Sequence, residues 1–258
     1  MARVVAVANQ KGGVGKTTTT INLATALALA KRRVLLVDVD PQGNLTSGLG
    51  QRNQASEAGT VYDALTSTEP TRDARPFVIA TSVDGLSLIP ANRNLTGAEI
   101  ELVTISAREE RLRLLLQTIR DEFDYIFIDC PPSLGLLTLN ALVAADAALI
   151  PLHCEYFALE GLADLVSTMR RVRAALNPHL DIEGVLLTMF DERTNLGQQV
   201  AADVREFFKE KVFRTVIPRN VRLGEAPSHG LPAIVYDPRS RGAEAYIALA
   251  KEVLEKVN

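Results

Sequence analysis

One unit near the start of the chain constrains the fold more than any other. Residues 3–8 (RVVAVA) form a short β-branched run, and a loop with Gly12, Gly13 and Gly15 follows. Residues 17–31 (TTTTINLATALALAK) are rich in Ala and Leu, which favours helix, and residues 34–38 (VLLVD) return to a strand pattern. Strand, helix and strand within about 35 residues make a βαβ unit, whose two strands are parallel and whose crossover is right-handed. Parallel strands need both faces covered. The unit therefore commits the chain to layered α/β architecture.

The pattern recurs downstream. Residues 86–90 (LSLIP) and 125–129 (YIFID) read as strands, with helical REERLRLLLQTIRDEF between them. Residues 147–152 and 182–188 are further strands, separated by an amphipathic helix over 158–175. A helix at 196–209, short strands at 215–217 and 233–236, and a terminal helix from 241 complete the expectation. Residues 43–84 are polar and turn-rich, and read as an elaboration on one edge. The expected fold is an open, mostly parallel, twisted sheet with helices on both faces, in one domain spanning residues 1–258.

Composition narrows the class. A chain of 258 residues that is 47% hydrophobic and 23% charged is neither disordered nor a disulfide-stapled miniprotein. Cys130 and Cys154 fit no zinc or CxxC spacing, so reduced, buried thiols are expected. The apolar start meets Lys11 and glycines too soon for a signal peptide. The longest uncharged stretch, residues 130–145, has 16 residues, whereas a membrane span needs about 20. A soluble, cytoplasmic protein is expected.

The loop after the first strand reads Asn9-Gln10-Lys11-Gly12-Gly13-Val14-Gly15-Lys16-Thr17-Thr18. Its end satisfies the phosphate-loop pattern GxxxxGK[ST], but Gln10 stands where that pattern has its first glycine. The remaining glycines still let the backbone curl so that its amides converge on phosphate oxygens, and the helix start adds partial positive charge. Lys16 is placed to reach the β/γ-phosphates, and the Thr17 hydroxyl to bind Mg²⁺. Three aspartates end strands on the same rim: Asp38 and Asp40 in VDVDPQGN, and Asp129 in IDCPP. In open parallel sheets ligands lie beyond the carboxyl ends of the strands, where such acids meet Mg²⁺ directly or through water. His153, His179 and His229 are scattered and form no metal or nucleophile constellation.

KGGVGKTT, with its additional Lys11, resembles the deviant Walker A motif of the ParA/MinD family, which includes the nitrogenase iron protein. DVDPQGN resembles that family's switch I, and IDCPPSLG its switch II. Residues 153–162 (HCEYFALEGL), 187–200 (LTMFDERTNLGQQV) and 216–230 (VIPRNVRLGEAPSHG) look like the chromosomal ParA/Soj branch. The resemblance implies a phosphate-loop ATPase that uses ATP and Mg²⁺ and pairs with a second copy of itself when ATP is bound. By it, residues 11–18 (Lys11, Gly12, Gly13, Val14, Gly15, Lys16, Thr17, Thr18) hold the nucleotide. Lys11 acts across the dimer interface, Asp40 positions the attacking water, and Thr17 with Asp129 holds the Mg²⁺ shell, with Asp38 sharing the metal role. Pro218 and Asn220 contact the adenine.

The resemblance further implies a ParB/Spo0J-type partner that stimulates hydrolysis, and leaves open a replication initiator as another partner. Only ten residues precede Lys11, so the helix-turn-helix of some plasmid relatives is not expected. Double-stranded DNA, bound without sequence preference on the nucleoid, is the implied polyanion, and arginines matching Arg193, Arg219 and Arg222 serve it. Composition agrees in sign: residues 193–222 hold seven basic and three acidic side chains, an excess of +4, in a chain of net charge -3. The rival of the same fold is a MinD-like membrane-cycling ATPase, which needs a terminal amphipathic helix with a basic face. Here the polar face of the last helix mixes lysines with glutamates, so packing onto the sheet, and no membrane partner, is expected. An iron–sulfur reductase is disfavoured because its cysteines would lie in other motifs, and no acceptor-substrate motif marks a metabolic kinase.

Overall fold

The computed structural model describes residues 1–67, 73–155 and 158–256. Its elements in chain order are β1 (Arg3–Val7), α1 (Lys16–Leu29), β2 (Val34–Asp38), α2 (Asn44–Gly48), α3 (Arg52–Ala58), α4 (Val61–Leu65), β3 (Ile79–Ala80) and β4 (Leu86–Ile89). Then follow α5 (Leu95–Glu101), α6 (Arg111–Gln117), β5 (Tyr125–Asp129), α7 (Leu136–Ala144), β6 (Ala147–His153), α8 (Ala158–Ala175) and β7 (Asp181–Thr188). The chain closes with α9 (Asn195–Phe208), α10 (Val221–Glu225), α11 (Ala233–Tyr236) and α12 (Arg241–Glu255).

Among the described residues, seven strands form one sheet in the order β3-β4-β2-β5-β1-β6-β7. All neighbouring pairs are parallel except β3 with β4, which puts the single antiparallel strand at the edge. That edge belongs to the segment expected to elaborate one side. The interior of each central strand is apolar because alternate residues feed different layers. Val4 and Ala6 of β1 and Ile126 and Ile128 of β5 face one buried cluster; Val5, Val7, Tyr125 and Phe127 face the other. The first layer contains buried residues of α4 to α9, and the second contains α1 and α12.

α1 is buried nearly all round, because α12 covers the side turned away from the sheet. Fully buried Tyr246 of α12 meets Thr19 of α1 in a 3.0 Å hydrogen bond between their hydroxyls. The apolar residues of α12, including Leu249, Ala250 and Val253, belong to the same buried cluster as Leu23 and Leu27. The terminal helix thus packs onto the sheet layer, as its mixed polar face suggested.

Several local expectations are corrected. Residues 233–236 form the helix α11: Asn22 Oδ1 on α1 accepts the Ala233 amide at 2.8 Å, fixing a helical turn beside α1. Residues 215–217 form no strand: Ile217 donates to Leu187 O, and the ladder element nearby is an isolated bridge of Phe190 with Pro218. The helix expected over 108–123 is regular only through α6 and ends in a 3-10 turn at Arg120–Glu122. α5 and α7 were not anticipated. α7 is apolar on nearly every side and so lacks an amphipathic signal.

Candidate functional site

Parallel register delivers the carboxyl ends of the central strands to one rim. Val7 lies opposite Asp129, and Asp129 opposite Asp38. The loop leaving β1 is fastened at its base by Asn9, whose Nδ2 donates to Pro151 O (2.8 Å) while its Oδ1 accepts the Lys11 amide (2.9 Å). The loop then curls through Gly13 (φ 72°) and Gly15 (φ 87°), a left-handed region that side chains disfavour. Gly15 is the N-cap of α1, so the helix's first amides open over a cavity of about 620 Å³. That volume suits a nucleotide-sized ligand.

The cavity wall includes Gly12, Gly13, Gly15, Lys16, Thr17 and Thr18 from the loop, and Asp40 with Gln42 from beyond β2. Pro132 and Thr188–Met189 complete one side; Ile217, Pro218, Arg219 and Asn220 supply another. The structure therefore brings the phosphate-loop residues and the 217–220 segment to one cavity. Val14 instead turns its side chain into the interior, 2% exposed. Lys16 is also buried, and its Nζ donates to Lys11 O at 3.0 Å. Burial lowers the affinity of that amine for its proton, while Asp129, Cys130 and Asp40 oppose the shift. Asn220 Oδ1 caps α10 by accepting the Arg222 amide, which leaves its Nδ2 as the group available for donation.

Asp129 is fully buried and held by two hydroxyls from α1: Thr17 Oγ1 donates to Oδ2 (2.7 Å), and Thr20 Oγ1 to Oδ1 (3.0 Å). Burial, reinforced by the charge of Asp38, pushes its carboxyl up to about 8, although both hydroxyls pull the other way. A carboxylate so placed favours a nearby cation. The donor set fits Mg²⁺, which prefers hard oxygens and retains waters. Among the described residues no group of three His, Cys, Asp or Glu side chains is assembled to hold an ion alone. Thr17 and Asp129 would therefore share the ion with phosphate and water oxygens.

Asp38 is engaged elsewhere. Its Oδ2 accepts both the amide (2.9 Å) and the hydroxyl (2.7 Å) of Thr46 on α2, and its Oδ1 accepts the Asp40 amide (3.2 Å). Burial raises its carboxyl to about 6. These bonds fasten the end of β2 to α2 through Asp38. Asp40 Oδ1 accepts the Gln42 amide (2.9 Å), which shapes the turn at the cavity mouth.

Lys11 leaves the loop away from the cavity wall and pairs with Glu155 at 2.5 Å, and the same carboxylate meets His153 Nδ1 at 2.9 Å. The three arginines expected to meet DNA do not share one state. Arg193 is almost fully exposed and bound by both oxygens of Asp191, and Arg222 pairs with Glu225 and Asp237. Arg219 lines the cavity. Thr20, Glu155, Thr188 and Met189 escaped the sequence reading. For Thr188 a signal existed, because it ends a strand on the ligand-bearing rim.

Helix-start amides, a buried lysine and the Thr17 hydroxyl on one cavity at this rim, with the Asp129 carboxylate buried behind that hydroxyl, define a phosphate-loop nucleotide-binding protein. A family model described as an AAA domain matches residues 2–182. The sporulation initiation inhibitor protein Soj of Bacillus subtilis is 58% identical over 98% of each chain. The chromosome partitioning protein ParA of Myxococcus xanthus is 54% identical over 99% of this chain and 89% of its own. Among solved structures, one described as cobyrinic acid a,c-diamide synthase of Mycobacterium smegmatis with bound ADP and magnesium superposes with a TM-score of 0.84. Its identity is 38%, covering 98% of this chain and 94% of that one. The chain belongs to the ParA/Soj family of chromosome partitioning ATPases.

Proposed function

We propose that this protein is a Mg²⁺-dependent ATPase that closes into a homodimer on ATP, binds double-stranded DNA without sequence preference and drives chromosome segregation. The observation that carries the proposal is the meeting of the phosphate loop, Asp40 and the 217–220 segment in one cavity, with buried Asp129 bonded to the cavity-lining Thr17 hydroxyl. Loop amides and Lys16 bind and orient the phosphates, and Thr17 with Asp129 holds Mg²⁺, which supplies charge neutralisation when bound. Asp40 at the cavity mouth orients the attacking water. Pro218 and Asn220 bound the base.

Lys11 must exchange Glu155 for the partner's phosphates if it acts across the interface. Its exposed pairing leaves that exchange inexpensive, because exposed ion pairs contribute only about 0–1 kcal/mol. Dimer closure presents the arginine-bearing segment twice, which raises affinity for a polyanion, and hydrolysis, stimulated by a ParB/Spo0J-type partner, reverses it. Such a protein works in the cytoplasm on the nucleoid. Identity of 58% to the protein named Soj and 54% to the chromosome partitioning protein ParA, against 38% to the protein described as a diamide synthase, supports partition over a synthetase. The covered apolar face of α12 supports DNA over a membrane-lying helix as the docking device.

The test is binding to random duplex DNA and to anionic liposomes, side by side, in ATP and in ADP. ATP-dependent retention on DNA alone is expected. Retention on liposomes alone would move the assignment to membrane cycling, and binding to neither would overturn the partition reading.

A further inference from the structure

We propose that Thr188 is a positioning residue for nucleotide binding: its hydroxyl sets the orientation of the Val14–Gly15 peptide in the phosphate loop. Thr188 is the last residue of edge strand β7 and is 2% exposed. Its Oγ1 donates to Val14 O at 2.8 Å, a contact across 174 residues that reaches past β6 to the loop of β1. The α1 backbone ladder leaves this carbonyl aside, since its first bond runs from the Thr19 amide to Gly15 O. In a trans peptide the carbonyl and the following amide point in opposite directions within the peptide plane. Directing Val14 O at Thr188 therefore sends the Gly15 N–H the other way, and Gly15 is a wall residue of the cavity.

The same strand end also holds the 217–220 wall. Leu187 O accepts the Ile217 amide (2.9 Å), and Ile217 O accepts the Phe190 amide (3.0 Å). Between them Met189 adopts φ 48°, a conformation uncommon for a residue with a side chain. The end of β7 thus joins the 217–220 segment to the phosphate loop, and the Thr188 hydroxyl is the side-chain link on the phosphate side. The Thr188 methyl lies about van der Waals distance from Gly15, 3.8 Å from an ideal Cβ there. Hydroxyl and methyl roles are therefore separable by substitution.

The inference rests on the reading that this loop binds a nucleotide's phosphates, and the test keeps the two apart. Thr188→Val preserves shape and removes the donor; Thr188→Ser keeps the donor and removes the methyl. ADP affinity is measured by titration calorimetry, with kcat and KM for ATP hydrolysis measured in parallel. Loss of the bond leaves a buried carbonyl unpaired, so Thr188→Val is expected to weaken ADP binding and raise KM roughly tenfold. kcat should stay within about twofold, since binding lost equally in ground and transition states appears in KM. Thr188→Ser should bind within about twofold of the unaltered protein. If Thr188→Val does not fold, Thr188→Cys, a weaker donor, should fall between Ser and that expected loss. A folded Thr188→Val with unaltered ADP affinity overturns the proposal, as does a Thr188→Ser that binds as weakly as the valine or cysteine variant. Failure of the unaltered protein to bind ADP would instead overturn the nucleotide reading.

Discussion

If Asp38 is a fastener and not a metal ligand, its partner Thr46 carries stability that needs neither Mg²⁺ nor nucleotide. Thr46 is 1% exposed, and its hydroxyl makes two bonds: it donates to Asp38 Oδ2 at 2.7 Å and accepts the Ala91 amide at 3.0 Å. Thr46→Val keeps the shape and deletes both. Losing a hydrogen bond to a charged group costs about 1.5–3 kcal/mol, and leaving the Ala91 amide buried without an acceptor adds about 1–3 kcal/mol, so a loss of about 2.5–6 kcal/mol is expected. For a chain of this size each kcal/mol lowers Tm by roughly 2–4 °C, which predicts a fall of about 5–24 °C. Thr46→Ser keeps the hydroxyl and should lose only about 1 kcal/mol. The assay is thermal unfolding by circular dichroism in EDTA without nucleotide. A Thr46→Val protein within about 1 kcal/mol of the unaltered one in EDTA would refute the fastener. A deficit confined to the Mg²⁺–nucleotide complex would return Asp38 to the metal.

Other expectations concern the cavity's supports and surface. Glu252 on α12 accepts the amides of Arg214 (2.8 Å) and Thr215 (3.0 Å), which lead into the 217–220 segment. Burial alone would raise its pKa, but those two amides hold it below the usual 4.5. A depressed carboxylate adds stability above about pH 4.5 that is lost as the pH falls through its folded value. Denaturant titrations should therefore show Glu252→Gln about 2 kcal/mol less stable at neutral pH, with the gap closing in acid; a pH-independent gap would contradict this. Lys16→Ala should abolish nucleotide binding in calorimetry, and unchanged affinity would remove the phosphate-loop argument. Arg193→Ala with Arg219→Ala should lower the slope of log affinity for duplex DNA against log salt by about 0.9 for each phosphate no longer neutralised. An unchanged slope would leave the basic run as an ordinary solvated face.

What the sequence made legible follows from the range of each interaction. The strands around Val5, Leu36 and Ile128 were readable because apolar runs bounded by turns are local signals. The phosphate loop was readable because its glycine and lysine spacing is a geometric requirement on eight neighbouring residues. Residues 233–236 misled because AIVY prefers strand in isolation, and Asn22, 211 residues away, ties its first amide to α1. The Asp38 bonds were illegible for a related reason: a strand-end aspartate suggests metal chemistry, while Thr46, which bonds it, sits on a short helix that carries no periodic signal. Glu155 and Thr188 reach the loop from 144 and 174 residues away. No spacing rule connects them, so their pairing becomes visible only when β1, β6 and β7 are laid side by side.

The central claim is that ATP joins two copies of this chain through Lys11 and that Asp40 is needed for the reaction that separates them. Light scattering on a sizing column with Asp40→Ala tests it directly. In ATP and Mg²⁺ the variant should elute at about twice the 28.0 kDa chain mass, and in ADP at the single-chain mass. Adding Lys11→Ala to it should restore the single-chain mass in ATP. An Asp40→Ala protein that binds ATP yet stays at 28.0 kDa, or a dimer that survives loss of Lys11, would contradict the account.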